Sequence, residues 1–262
     1  MNLKDKIAIV TGAASGIGKA LCERFHAEGA AGVAAVDINK AGARETAASI
    51  GGLLFGADVS DEADIIRVVE ETENHYGQID VFASNAGILT RDNTHAASAT
   101  NEEWERIWGI NTMAHIYAAR AVLPKMIERG SGYLLNTASA AGLLNQIDHT
   151  PYAVTKHAAV AFAESLAIAH YDQGIRVSVL CPQAVRTGMT GDSDGGSAGF
   201  DGMLEPNAVC DAVIEAMEEE TFLVLPHPEV LTYMQRKTSD YDRWLKGMRR
   251  FRDRIRAGKV EV

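Results

Sequence analysis

Short runs of apolar residues alternate with longer amphipathic stretches from one end of the chain to the other. The short runs, at 6–11, 32–37, 53–57, 79–84, 133–138, 175–180 and 222–225, are mostly continuous and not alternating. Continuous apolar runs are what strands need when helices cover both of their faces, so these runs predict a parallel sheet. Between them, residues 17–28, 40–49, 62–75, 101–129, 151–172 and 206–220 carry helical patterns. Right-handed crossovers place such helices alternately on the two faces, which predicts an α/β fold: a doubly wound, Rossmann-type parallel sheet of about seven strands.

No shift in composition marks an internal boundary, so residues 1–262 are expected to form a single domain. Within it, residues 187–202 hold six glycines in sixteen positions and read as a substrate loop, expected to order over bound substrate as a lid. Residues 226–262 form a helical tail in which Tyr241, Trp244, Leu245, Met248, Phe251 and Ile255 recur at helical spacing.

Composition narrows the function. With 25 Lys plus Arg against 35 Asp plus Glu, the formal charge is −10, which excludes a general nucleic-acid binder. The 47% hydrophobic and 23% charged content is that of a globular protein. No apolar run approaches the roughly 18 residues of a membrane span and no signal peptide is readable, so no membrane partner and a cytoplasmic location are expected. Cys22, Cys181 and Cys210 lie far apart with no Cys-x-x-Cys pair, which predicts neither a disulfide framework nor a metal site. The tail runs against the overall charge, for residues 243–259 carry 8 basic residues and only one acid, Asp253. A helix packed on its own domain or on a neighbouring subunit accounts for it; a dock for an acidic carrier or substrate is the alternative.

Chemistry enters where the first strand meets the first helix, at Thr11-Gly12-Ala13-Ala14-Ser15-Gly16-Ile17-Gly18. Glycines in such a turn admit positive φ and close backbone approach, while the helix N-terminus offers free N–H groups to a pyrophosphate. Asp37 follows nineteen residues after Gly18, at the end of the second strand. A carboxylate there accepts hydrogen bonds from ribose hydroxyls and repels a 2′-phosphate, so it predicts NAD and not NADP. A helix-capping aspartate would read the same way, and Lys40 and Arg44 lie close in sequence.

Two Tyr-x-x-x-Lys pairs occur, Tyr152 with Lys156 and Tyr233 with Lys237. In each the two side chains share a helix face. Only Tyr152 has a serine thirteen residues before it, Ser139, at the C-terminal end of the fifth strand where ligands bind in open α/β sheets. Tyr233 lies beyond the last strand and takes a structural reading.

Together with Asn85-Ala86-Gly87 after the fourth strand and Asn111 in the long helix, these motifs resemble the short-chain dehydrogenase/reductase family, over about residues 3–225. The resemblance implies hydride transfer with Asn111, Ser139, Tyr152 and Lys156 as the catalytic set. It also implies a cofactor site of Gly12, Ser15, Gly16, Ile17, Gly18, Asp37, Asp58, Val59, Asn85, Ala86, Gly87, Tyr152 and Lys156. Where many members carry Pro-Gly, this chain has Pro182-Gln183, with Val185 and Thr187 as further cofactor contacts. A homodimer or homotetramer is expected.

The expected function is therefore NAD-dependent oxidation of a small secondary alcohol. Leu89, Leu143, Leu144, Met189, Phe200 and Met203 suggest a neutral, hydrophobic or aromatic substrate, and Asn145, His149 and Arg186 are the polar candidates. A carrier- or CoA-linked 3-oxoacyl reductase is the enzymic alternative, and a non-catalytic nucleotide-sensing scaffold the alternative of another class.

Overall fold

The computed structural model describes residues 1–191 and 195–257. Seven parallel strands form one sheet: β1 (Ile7–Thr11), β2 (Gly32–Asp37), β3 (Leu53–Gly56), β4 (Val81–Ser84), β5 (Gly132–Thr137), β6 (Ile175–Leu180) and β7 (Leu223–Val224). Their order is β3-β2-β1-β4-β5-β6-β7. Successive residues of a strand feed opposite cores. Ala8 and Val10 of β1 belong to one cluster with α1 (Gly16–Ala27), α2 (Lys40–Ile50) and α8 (Pro206–Glu219). Ile9 belongs to the other, with α3 (Glu62–Tyr76), α5 (Ala114–Glu128) and α7 (Thr150–His170). Burial on both faces is why the strands appear in sequence as unbroken apolar runs. The order reverses between β1 and β4, and the diverging crossovers leave a crevice at the carboxyl ends of those strands.

The stretch 101–129, expected as one helix, is three pieces. α4 (Asn101–Trp108) opens with a capping box between Thr100 and Glu103, a π-helical turn (Gly109–Met113) follows, and α5 completes the run. A π turn adds one residue to the helical cycle without breaking it, so hydrophobic periodicity on either side does not reveal it. A short α6 (Ala141–Leu144) directly after Ser139 was also not foreseen; its four residues are too few for a periodic signal.

The tail folds as α9 (Glu229–Ser239) and α10 (Tyr241–Arg256). Asp240 caps α10 by accepting the Arg243 N–H at 2.9 Å. No residue of α10 is fully buried. The helix is held instead by Trp244 against the cluster of Val230 and Leu144, by an edge-to-face contact of Phe251 with Phe200 (5.7 Å between ring centres), and by an Arg256–Asp148 ion pair at 2.6 Å. Among the described residues no helix is long and apolar enough to cross a membrane.

Removing residues 241–262 is therefore expected to leave urea unfolding cooperative and to cost less stability than Leu135→Ala, a fully buried core position where truncation costs about 2–5 kcal/mol. A larger loss from the truncation would show that α10 carries core stability.

Candidate active site

The turn after β1 is built for close backbone approach. Gly16 adopts φ +55°, in the left-handed region that side chains disfavour. A Cβ on Gly18 would lie 2.1 Å from the Gly12 carbonyl oxygen, so only glycine lets α1 pack this tightly on β1. Ser15 sits at the helix N-cap with no side-chain cap bond, and the first turn carries no acidic residue. The N–H groups at the start of α1 thus lack the usual side-chain acceptor, and Ser15, Gly16, Ile17 and Gly18 line a cavity of about 1810 Å³. A glycine cradle and an uncapped helix start suit a pyrophosphate. The neighbouring strand is welded on through Thr11, whose Oγ1 accepts the Asn85 and Ala86 N–H groups at 2.9 and 3.0 Å.

Asp37 lines the same cavity. Its carboxylate accepts the Ala14 N–H at 2.9 Å and the Asn39 N–H at 2.8 Å, so it also shapes the glycine turn. Lys40 lies against Gly56, and neither Lys40 nor Arg44 lines the cavity. Asp58 and Val59 do; one Asp58 oxygen is committed to the Ser60 N–H and hydroxyl at 2.9 and 2.7 Å. Ile38, which the sequence reading passed over, is 73% exposed on the cavity wall beside Asp37. An isoleucine next to a ribose-type carboxylate was the available signal, and helical or strand periodicity says nothing about such a position.

At the other end, Ser139, Tyr152 and Lys156 line the cavity together with Asn85, Ala86, Gly87, Pro182, Val185 and Thr187. The Ser139 hydroxyl donates to the Pro182 carbonyl at 3.4 Å and accepts the Ala141 N–H at 3.1 Å. Burial raises the pKa of Tyr152, and the Ser139 interaction partly offsets it. Lys156 is 3% exposed; its ammonium donates to the Thr137 carbonyl at 2.9 Å and stands 5.8 Å from the centre of the Tyr152 ring. Burial pushes its pKa from 10.5 down to about 8. His115, buried near Lys156, is pushed down to about 3 and adds no charge at neutral pH.

Asn111 does not reach the cavity. It is fully buried in the π turn, where Oδ1 accepts the Ile88 N–H and Nδ2 donates to the Ile88 carbonyl, both at 2.9 Å. It therefore fixes the backbone just beyond Gly87. A Cβ on Gly87 would stand 3.3 Å from the Lys156 Nζ and 3.4 Å from the Asn111 Oδ1, a close fit beside both side chains.

The family model for short chain dehydrogenase matches residues 6–196. The chain belongs to that family. It is 34% identical over 236 residues to 1-deoxy-11-beta-hydroxypentalenate dehydrogenase of Streptomyces exfoliatus, covering 87% of this chain and 86% of that protein. A short chain dehydrogenase/reductase from Burkholderia phymatum, solved in complex with NAD, superposes with a TM-score of 0.83 at 24% identity, over 92% of this chain and 96% of that one. The 3-ketoacyl-(acyl-carrier-protein) reductase from Brucella melitensis, complexed with NADH, gives a TM-score of 0.78 at 30% identity, over 85% and 96%. This short-chain dehydrogenase is thus an oxidoreductase that takes a nicotinamide cofactor, and the glycine cradle and uncapped α1 fit one.

The substrate side departs from expectation. Leu89, Leu144 and Met189 line the cavity, but Leu143, Phe200 and Met203 do not. Phe200 turns its ring to Phe251, and Leu143 packs into the core. Asn145 and His149 line it, whereas Arg186 pairs with Glu205 at 3.0 Å. The largest omission is α10, one face of which forms a cavity wall. Tyr233, the second tyrosine of a Tyr-x-x-x-Lys pair, donates to Asp201 at 2.9 Å, and Asp201 also accepts from Gln183 at 3.0 Å, so it steadies the substrate loop. Positions 192–194 of that loop lie outside the described residues.

Lys156 sets a test of the site's electrostatics. The unfolded chain keeps this proton up to about 10.5 and the folded chain releases it near 8, so between these values the unfolded state binds more protons and stability rises with pH. Lys156→Met is expected to be more stable than the wild type at pH 7, by up to about 3 kcal/mol. Urea unfolding should show the gap closing as pH rises from 8 to 10.5; a gap constant with pH would refute the assignment.

Proposed function

We propose that this protein is an NAD-dependent dehydrogenase that oxidises a secondary alcohol to a ketone, and reduces the ketone when run in reverse. The observation that carries this reading is the convergence of Ser139, Tyr152 and Lys156 on one end of a cavity whose other end holds the glycine cradle and Asp37. A cavity of about 1810 Å³ exceeds the roughly 300–1,000 Å³ of an ordinary small-molecule site, which suits a dinucleotide and a substrate side by side.

A nicotinamide cofactor, which the glycine cradle and Asp37 would hold, would supply the hydride acceptor for the carbinol carbon and, in its oxidised form, a positive charge in the same cavity. Tyr152 takes the carbinol proton. Burial holds its pKa above the ordinary phenol value, so positive charge must lower it for oxidation, and the Lys156 ammonium stands 5.8 Å from the ring centre. Ser139 donates a hydrogen bond to the substrate oxygen as charge develops there. Asn111 acts as a positioning residue through Ile88.

The choice of NAD rests on Asp37. Each carboxylate oxygen holds one backbone N–H and keeps acceptor capacity for a ribose hydroxyl, and neither nearby cation faces the cavity to receive a 2′-phosphate. We expect kcat/KM to favour NAD over NADP at least tenfold, about 1.4 kcal/mol, and Asp37→Ala to narrow the difference. Steady-state kinetics with both cofactors on a panel of aryl, terpenoid, steroid and aliphatic alcohols checks this; equal use of NADP by the wild type refutes it.

Tyr152→Phe should lower kcat by about 10² to 10⁴-fold with NAD binding retained, the usual contribution of general acid–base catalysis. Tyr233→Phe should leave the chemical step largely intact. Single-turnover measurements separate the two, and the reverse ranking would overturn the assignment of the site.

A further inference from the structure

Helix α10 presents an unusual wall to the cavity. Trp244, Met248 and Ile255 line it together with Arg249, Arg252 and Arg256, whereas Arg243, Arg250 and Arg254 of the same helix do not. Since the helix buries no residue fully, core packing does not explain why arginines stand beside the apolar stripe along the cavity, Arg249 and Arg256 exposed and Arg252 half-buried.

The fate of each charge is informative. Arg256 is neutralised by Asp148 at 2.6 Å, and Arg252 is paired with its neighbour Asp253 at 2.8 Å. Arg249 has no carboxylate partner among the described residues. Arg91, also on the cavity wall, donates only to the His149 imidazole, at 3.3 Å. The adjacent Asp92 is committed to the Thr150 N–H and hydroxyl at 3.0 and 2.9 Å. The cavity therefore carries three guanidinium groups without a matching carboxylate among the described residues, those of Arg91, Arg106 and Arg249, in a protein whose overall charge is −10. Arg249 and Arg91 are both exposed at the edge of this wide cavity, where a guanidinium can still recognise carboxylates and related oxyanions by paired, charge-assisted hydrogen bonds.

Resting on the dehydrogenase reading above, we propose that the substrate is an amphipathic secondary alcohol carrying an oxyanion, such as a carboxylate, remote from the carbinol, and that Arg249 and Arg91 bind that anion. The apolar part of the substrate lies along Trp244, Met248 and Ile255. A neutral alcohol, the expectation from the loop residues, offers these guanidinium groups no charged partner. An acidic carrier protein would instead engage Arg243, Arg250 and Arg254 on the outer face.

Calorimetric titration of the NAD-saturated protein with decanoate and with its neutral amide tests the subsite without turnover. Decanoate should bind at least tenfold more tightly, and 0.5 M NaCl should reduce the difference. Arg249→Gln and Arg91→Gln should each weaken decanoate at least threefold and spare the amide, while Arg250→Gln alters neither. Equal binding of acid and amide, or a difference indifferent to both cavity variants, overturns the proposal. So does a 3-hydroxyacyl carrier protein whose binding falls with Arg250→Gln and not with Arg249→Gln. Oxidation of 9-hydroxydecanoate and of decan-2-ol separates the two levels. If both are oxidised with equal kcat/KM, the subsite fails and the dehydrogenase reading stands; if decanoate is discriminated and no alcohol in the wider panel is oxidised, the subsite stands and the dehydrogenase reading fails.

Discussion

Lys156 is an ammonium group held away from water, and much of the central sheet is arranged to tolerate it. An isolated buried charge costs several kcal/mol even after relaxation, and here the recorded hydrogen-bond acceptor is a single carbonyl, that of Thr137 at the end of β5. Placing the nitrogen there brings α7 close along the sheet and sets the ammonium beside Gly87, where a Cβ would stand 3.3 Å away, and the backbone past Gly87 is clamped. The clamp is Asn111, and the π turn is what delivers its amide to Ile88. Nearby His115 is kept neutral by burial, so no second cation competes.

The opposite end of the cavity solves a different problem, that of bringing polyanionic phosphates against main chain. It does so by removing side chains: Gly12, Gly16 and Gly18 leave backbone exposed, and Ser15 leaves the helix uncapped. Asp37 then serves twice, bracing the turn through Ala14 while facing the cavity. A carboxylate with a structural bond of its own is fixed in direction before any ligand arrives, and that pre-organisation favours selective recognition.

How much of this was legible in the sequence depends on whether a local rule sets the feature. Strands, crossovers and the glycine turn follow from hydrophobic runs and backbone sterics, so they could be read directly. Tyr152 was distinguished from Tyr233 only because Ser139 lies on a strand end in the same region; the two pairs are otherwise alike in spacing. The π turn escaped because it conserves helicity, and α6 because four residues have no period. The cavity wall formed by α10 was invisible for a deeper reason. The stripe from Tyr241 to Ile255 announces an apolar face, but which surface it meets is set by tertiary contacts, Phe251 on Phe200 and Arg256 on Asp148, between residues far apart in the chain. The substrate-side reading rested on loop residues alone, of which Leu89, Leu144 and Met189 line the cavity and Leu143, Phe200 and Met203 do not.

That the α10 wall lies beyond residues 6–196, the stretch matched by the family model, has an evolutionary consequence. Reaction chemistry and one side of the substrate chamber are written in separate parts of the chain, joined by few contacts and with little shared core. A lineage could rewrite the terminal helix, changing which molecules are admitted, while the hydride-transfer machinery stayed under its own selection. Grafting such helices between relatives is correspondingly a route to new selectivity that leaves the ancestral chemistry in place.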